Sequence, residues 1–109
     1  MKVSQRPKIL DLIRQVRELV EKGSLRYSAH VEERMAQRWI IKPEVEFILR
    51  KGYHNQMKDK FNEDYDSWDY AIEGKTIDNR KLRIIIAFVE PKILDLIRAI
   101  KLDNLWKEK

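Results

Sequence analysis

Apolar residues in the first part of the chain recur at intervals of three and four. Ile9, Leu10, Ile13, Val16, Leu19 and Val20 fall on one face of a helix predicted over residues 7 to 22. Pro7 suits its first position and Gly23 its C-terminal stop. A second helix, residues 29 to 38, carries Val31 and Met35 as its apolar stripe and opens at Ser28, whose hydroxyl can accept a backbone N–H. Trp39, Ile40 and Ile41 lead to Pro43, which opens a third helix bearing Val45, Ile48 and Leu49 and ending at Gly52. After Gly52 the pattern turns from helical to extended. Residues 53 to 60 read as a mostly polar strand with His54, Gln56, Lys58 and Lys60 on one face. Trp68, Tyr70 and Ile72 alternate with Ser67, Asp69, Ala71 and Glu73, which predicts a strand with an aromatic face. Asp78 and Asn79 supply turn chemistry. Residues 82 to 89, LRIIIAFV, then read as a central strand buried on both faces.

The segment after that strand poses a puzzle, because PKILDLIR at 91 to 98 repeats PKILDLIR at 7 to 14 residue for residue. Local propensity assigns identical octapeptides identically. Only their flanks differ: QVRELVEKG extends the helical period of the first copy, whereas the second follows a core strand across a two-residue turn and continues as AIKLDN. The second copy is therefore read as a strand, tertiary context overriding propensity. The alternative is a fourth helix with Ile93, Leu94, Ile97 and Ile100 inward. The tail at 105 to 109 is expected to fray, with Trp106 able to pack back.

These elements predict one α+β domain over residues 1 to 109, with N-terminal helices covering one face of a mainly antiparallel sheet of three or four strands and the other face free for ligand. A length of 109 residues supports a modest single core. Twenty-three Lys and Arg against eighteen Asp and Glu leave a net charge of +5, which suits a polyanionic partner and equally suits simple solubility. The absence of cysteine excludes disulfides, thiol nucleophiles and cysteine zinc sites. No stretch reads as a signal-peptide core, membrane span or linker, so a soluble, cytoplasmic protein without membrane contact is expected.

The candidate chemistry centres on residues 27 to 40, YSAHVEERMAQRWI. His30, Arg34 and Arg38 are four apart and form one stripe on the second helix. His30 lies in the first turn of that helix as a possible base, and two guanidiniums below it offer forked donors suited to phosphate. The same spacing also fits the wet edge of an ordinary amphipathic helix. Glu63, Asp64 and Asp66 lack calcium-loop spacing and read as a solvated turn. His54 reads first as a surface histidine, Arg83 and Arg98 as snorkelling strand residues, and Trp68 as core, although stacking aromatics serve single-stranded RNA recognition.

The order Ser28-x-His30-x-x-x-Arg34-x-x-x-Arg38-x-Ile40, then Pro43 with its helix, Gly52, Trp68-Asp69-Tyr70 and the last two strands resembles an uncharacterised bacterial domain family, DUF4258-like, grouped with toxins of the RelE, MqsR and BrnT type. The resemblance covers about residues 24 to 103. The opening helix also looks like that of MqsR toxins. What the resemblance implies is a curved antiparallel sheet of the RelE and barnase-like kind and a metal-independent endoribonuclease without cofactor, acting on messenger RNA and held by a cognate antitoxin, with a homodimer open. It places His30, Arg34 and Arg38 on the family's helix motif, Lys58 near a functional lysine and Tyr70 near a functional tyrosine. The chemistry of such cleavage needs a base for the 2′-hydroxyl proton, cations for the phosphorane and an acid for the leaving oxygen. The expected catalytic set is His30, Arg34, Arg38, Lys58 and Tyr70. Arg34, Arg38, His54, Lys58 and Trp68 are the expected RNA contacts, and a non-catalytic nucleic-acid or protein-binding module is the competing expectation.

Overall fold

In the computed structural model, which describes residues 7–102, the chain runs α1 (Leu12–Glu21), β1 (Leu25–Arg26), α2 (Ala29–Gln37), α3 (Lys42–Lys51), β2 (Tyr53–His54), a 3-10 turn (Gln56–Lys58), β3 (Lys60–Asn62), β4 (Ser67–Lys75), β5 (Lys81–Glu90) and β6 (Ile93–Lys101). The α+β class is as expected, but the sheet has six strands. Their order is β1-β6-β5-β4-β2, with β3 also on β4. Every pairing is antiparallel except β1 on β6, where Leu25 lies opposite Leu94 and Arg26 opposite Asp95. Two residues carry no periodicity, which is why β1 has no sequence signature.

The polar strand expected over residues 53 to 60 is broken. Asn55 N–H donates to Ala71 O at 2.9 Å, and the Asp59 carboxylate accepts from Ala71 N–H at 2.9 Å, so a side chain replaces one rung of the ladder. The chain loops out between these two anchors. Lys58 therefore sits on a 3-10 turn and does not share a strand face with His54.

The two octapeptides take different structures. At 91 to 98 the sequence enters β6 after a two-residue turn, as read from its flanks. At 7 to 14 the helix begins only at Leu12, five residues later than expected, and Asp11 is left-handed at φ 61°. Residues 7 to 9 are captured by tertiary contacts instead. Lys8 pairs with Asp59 at 3.1 Å, and Ile9 N–H donates to the Tyr70 hydroxyl at 2.9 Å. The C-terminal stop is as expected, with Gly23 left-handed at φ 73°. Gly52 ends α3 for another reason: its φ is −82°, but a Cβ there would meet the carbonyl oxygens of Glu73 and Ile48 at 2.4 and 2.6 Å. Room, not handedness, requires glycine at that position.

One core joins α1, α2, α3 and the strands. Val16, Val45, Ile48 and Leu49 from the helices meet Ile72, Leu82, Ile84, Ile86 and Leu94 from the sheet, all of them buried. Trp68, Tyr70 and Ile72 share the core face of β4, as their alternation predicts. β5 differs from expectation: Leu82, Ile84 and Ile86 are fully buried, while Arg83 and Ile85 on the other face are half-buried. That second face is the open one.

Candidate functional site

Ser28 opens α2 as expected, its Oγ accepting from Val31 N–H at 3.1 Å. Val31 and Met35 bury their side chains, which turns the four-residue stripe toward the edge of β6. His30, Arg34 and Arg38 line one cleft of about 290 Å³ with Ile97 and Arg98 of β6. The expected helix stripe thus gains a fourth basic group from the far end of the sequence.

Arg98 arrives there through a β-bulge. Ile86 pairs with Leu96 and Ile85 with Arg98, so Ile97 is an extra residue on β6. Strict alternation from Leu94 and Leu96 would send Arg98 into the core. The bulge resets the phase, and Ala99 is buried in its place. Beyond the short β1, β6 is an edge. Arg38 Nη1 donates to Ala99 O at 2.8 Å, satisfying one carbonyl there. Arg38 is thus partly structural. Arg34 and Arg98 form no ion pair among the described residues, which leaves their charge available to an anion.

Ile97 and Arg98 also border a shallower groove of about 220 Å³ on the open face, where Lys58, Lys60, Asp69 and Arg83 are gathered. Burial pushes the Asp69 carboxyl above its usual value, and the charge of Arg98 offsets part of that rise. Lys58, Lys60 and Asp69 do not line the cleft of His30, Arg34 and Arg38; the two hollows share only Ile97 and Arg98.

Tyr70, His54 and Trp68 lie elsewhere. Tyr70 is buried on the core face with its hydroxyl accepting from Ile9, and burial raises its pKa. His54 Nε2 lies 2.8 Å from Asp59, whose side chain is fully buried. Trp68 packs edge to face on Phe61, with the Lys8 ammonium 4.5 Å from the centre of its ring. The sequence reading set Arg98 aside as a snorkelling residue, and no local signal marks it: sixty residues separate it from Arg38. Among the described residues no group of three or more His, Asp or Glu gathers as metal ligands would, and no helix is long and apolar enough to cross a membrane.

The family description "Domain of unknown function (DUF4258)" matches residues 27–101, from the residue before the Ser28 cap to the end of β6. The chain belongs to the DUF4258 family. The match takes in the whole cleft and both of the elements that form it, and it falls within the span of about 24 to 103 expected from the order of motifs. No curated protein and no solved structure matches the chain.

Proposed function

We propose that this DUF4258 domain is a toxin-like endoribonuclease that binds single-stranded RNA in the cleft between α2 and β6 and cleaves it without metal. The observation that carries this reading is the convergence of His30, Arg34, Arg38 and Arg98 on one cleft. Guanidiniums meet phosphate oxygens through paired donors, and they stabilise the extra charge of a phosphorane more than that of the ground state. His30 is exposed at the cleft, where its imidazole can take the 2′-hydroxyl proton. The 2′-oxygen then bonds to phosphorus, the bond to O5′ breaks, and solvent protonates the leaving oxygen at this open site. The products are a 2′,3′-cyclic phosphate and a 5′-hydroxyl. Tyr70 has no part in this scheme, and Lys58 holds phosphate on the adjoining groove. A cytoplasmic location and a cognate antitoxin that covers the cleft complete the reading.

The test is incubation of the protein, His30→Ala and Arg34→Ala with mixed-sequence single-stranded RNA in EDTA, resolving products by size and end chemistry. Both side chains are exposed and have no hydrogen-bond or ion-pair partner among the described residues, so the variants are expected to fold. Fragments ending in cyclic phosphate are expected from the parent, with the rate down by roughly 10² or more in His30→Ala. RNA that is bound but left whole by the parent favours the non-catalytic binding module. RNA neither bound nor cut overturns the proposal.

A further inference from the structure

Trp39 is 79% exposed and follows Arg38 directly, at the C-terminal end of the cleft wall. Its backbone is left-handed, with φ 58°. It holds the position just past the helix in a Schellman turn, where Trp39 N–H donates to Ala36 O at 3.2 Å and Ile40 N–H to Met35 O at 2.9 Å. α1 ends in the same turn, with Gly23 N–H on Val20 O at 3.0 Å and Ser24 N–H on Leu19 O at 2.9 Å, and there the left-handed residue is glycine. Glycine takes this conformation freely, whereas a Cβ opposes it. The chain therefore spends stability to keep a large, solvent-facing aromatic at this one position. Arg80 Nη1 fixes the backbone by donating to Trp39 O at 3.1 Å, and the buried Ile40 anchors the next residue.

We propose that Trp39 is the stacking platform for a nucleobase of the strand whose phosphates lie on Arg34, Arg38 and Arg98. The inference rests on the cleft binding single-stranded nucleic acid, and it names the group that reads the base. A phosphate-gripping cleft without an aromatic leaves the bases unheld, and an indole face offers sequence-tolerant stacking. Trp68 and Tyr70 are committed to the interior, so the role passes to the one tryptophan exposed among the described residues. Trp39 lines neither the cleft itself nor the apolar hollow of Ile41, Pro43, Phe47 and Ile77, and stands exposed just past the end of α2. Its covalent neighbour in the cleft is Arg38.

The experiment compares the full-length protein with Trp39→Gly, Trp39→Phe, Arg34→Ala and, as a control at a distant exposed site, Met57→Ala. Each is titrated with a fluorescent single-stranded 2′-O-methyl RNA octamer, which cannot be cleaved through its 2′-oxygen, and with an octamer of the same backbone lacking its bases. Trp39→Gly is expected to lose about tenfold in affinity for the base-bearing strand and nothing for the abasic one. Trp39→Phe retains most of the affinity, Met57→Ala all of it, and Arg34→Ala weakens both ligands. Thermal melts guard against a trivial loss, because Trp39→Gly relieves the left-handed strain and is expected to melt higher than the parent. Undiminished RNA affinity in Trp39→Gly, with Arg34→Ala impaired, overturns the platform and leaves the cleft standing. Equal losses for both strands in Trp39→Gly also overturn it. No binding of either strand by the parent removes the cleft reading together with this one.

Discussion

Glu73 is only 3% exposed, yet it remains a carboxylate. It lies at the β2 end of the open face, accepting from Arg83 Nε at 2.6 Å, the Tyr53 hydroxyl at 2.9 Å and Asn55 Nδ2 at 3.0 Å. Burial is the largest single influence and pushes its pKa up. The hydrogen bonds from Arg83, Tyr53 and Asn55 and the charge of Arg83 together outweigh it, so the net direction is down. A depressed folded pKa means stability that is present above the unfolded value, near 4.5, and lost as pH falls through the folded one. The urea midpoint of the parent should therefore fall with acidification below that range, and in Glu73→Gln this component should be missing; parallel declines in the two proteins would refute the assignment. Arg83→Met, which strands the buried charge, should cost about 3 kcal/mol at neutral pH. None of this was legible in the sequence. Glu73 sits in the period-2 pattern of β4 as an ordinary outward-facing polar residue, and its burial follows from β2 and Tyr53 folding over it.

At the scale of elements, the repeated octapeptide gives an internal control. Leu10 and Leu94 have the same neighbours for three residues before and four after. Leu10 is 86% exposed in the turn before α1, and Leu94 is 0% exposed in β6, its N–H donating to Ser24 O at 2.9 Å. Leu94→Ala should cost about 3 kcal/mol, in the range found for buried leucines, and Leu10→Ala less than about 0.5 kcal/mol, both read from urea unfolding. Comparable effects would show that the first copy is packed in solution. Reading the second copy as a strand succeeded because its flanks, a core strand and a two-residue turn, leave room only for a hairpin partner. Reading the first copy as helix from residue 7 failed because Asp59 and Tyr70, more than fifty residues away, hold Lys8 and Ile9 outside the helix.

Across the whole molecule, the cleft exists only when the two ends of the matched family region meet. α2 supplies His30, Arg34 and Arg38, and β6 supplies Arg98. A net charge of +5 gives a general attraction for polyanions, whereas the cleft predicts a countable one. If Arg34, Arg38 and Arg98 each neutralise a phosphate of a single strand, log affinity should fall with log salt with a slope of roughly −2. Arg98→Ala should make that slope shallower by roughly 0.7. A slope indifferent to Arg98 would place the strand elsewhere on the basic surface.

What the sequence determined by itself was local. The Ser28 cap and the stripe of His30, Arg34 and Arg38 depend on residues within one or two helical turns. The Gly23 stop, the turn at Asp78 and Asn79 and the period-2 strands likewise depend on neighbours in the chain. Tertiary structure decided the rest: the parallel pairing of β1, the break at Asn55 and Asp59, the opposite fates of one octapeptide, and the bulge at Ile97 that carries Arg98 out of the core to the cleft. Each of these turns on a partner ten or more residues away, whose contribution outweighs the small differences in backbone propensity that a local stretch can encode.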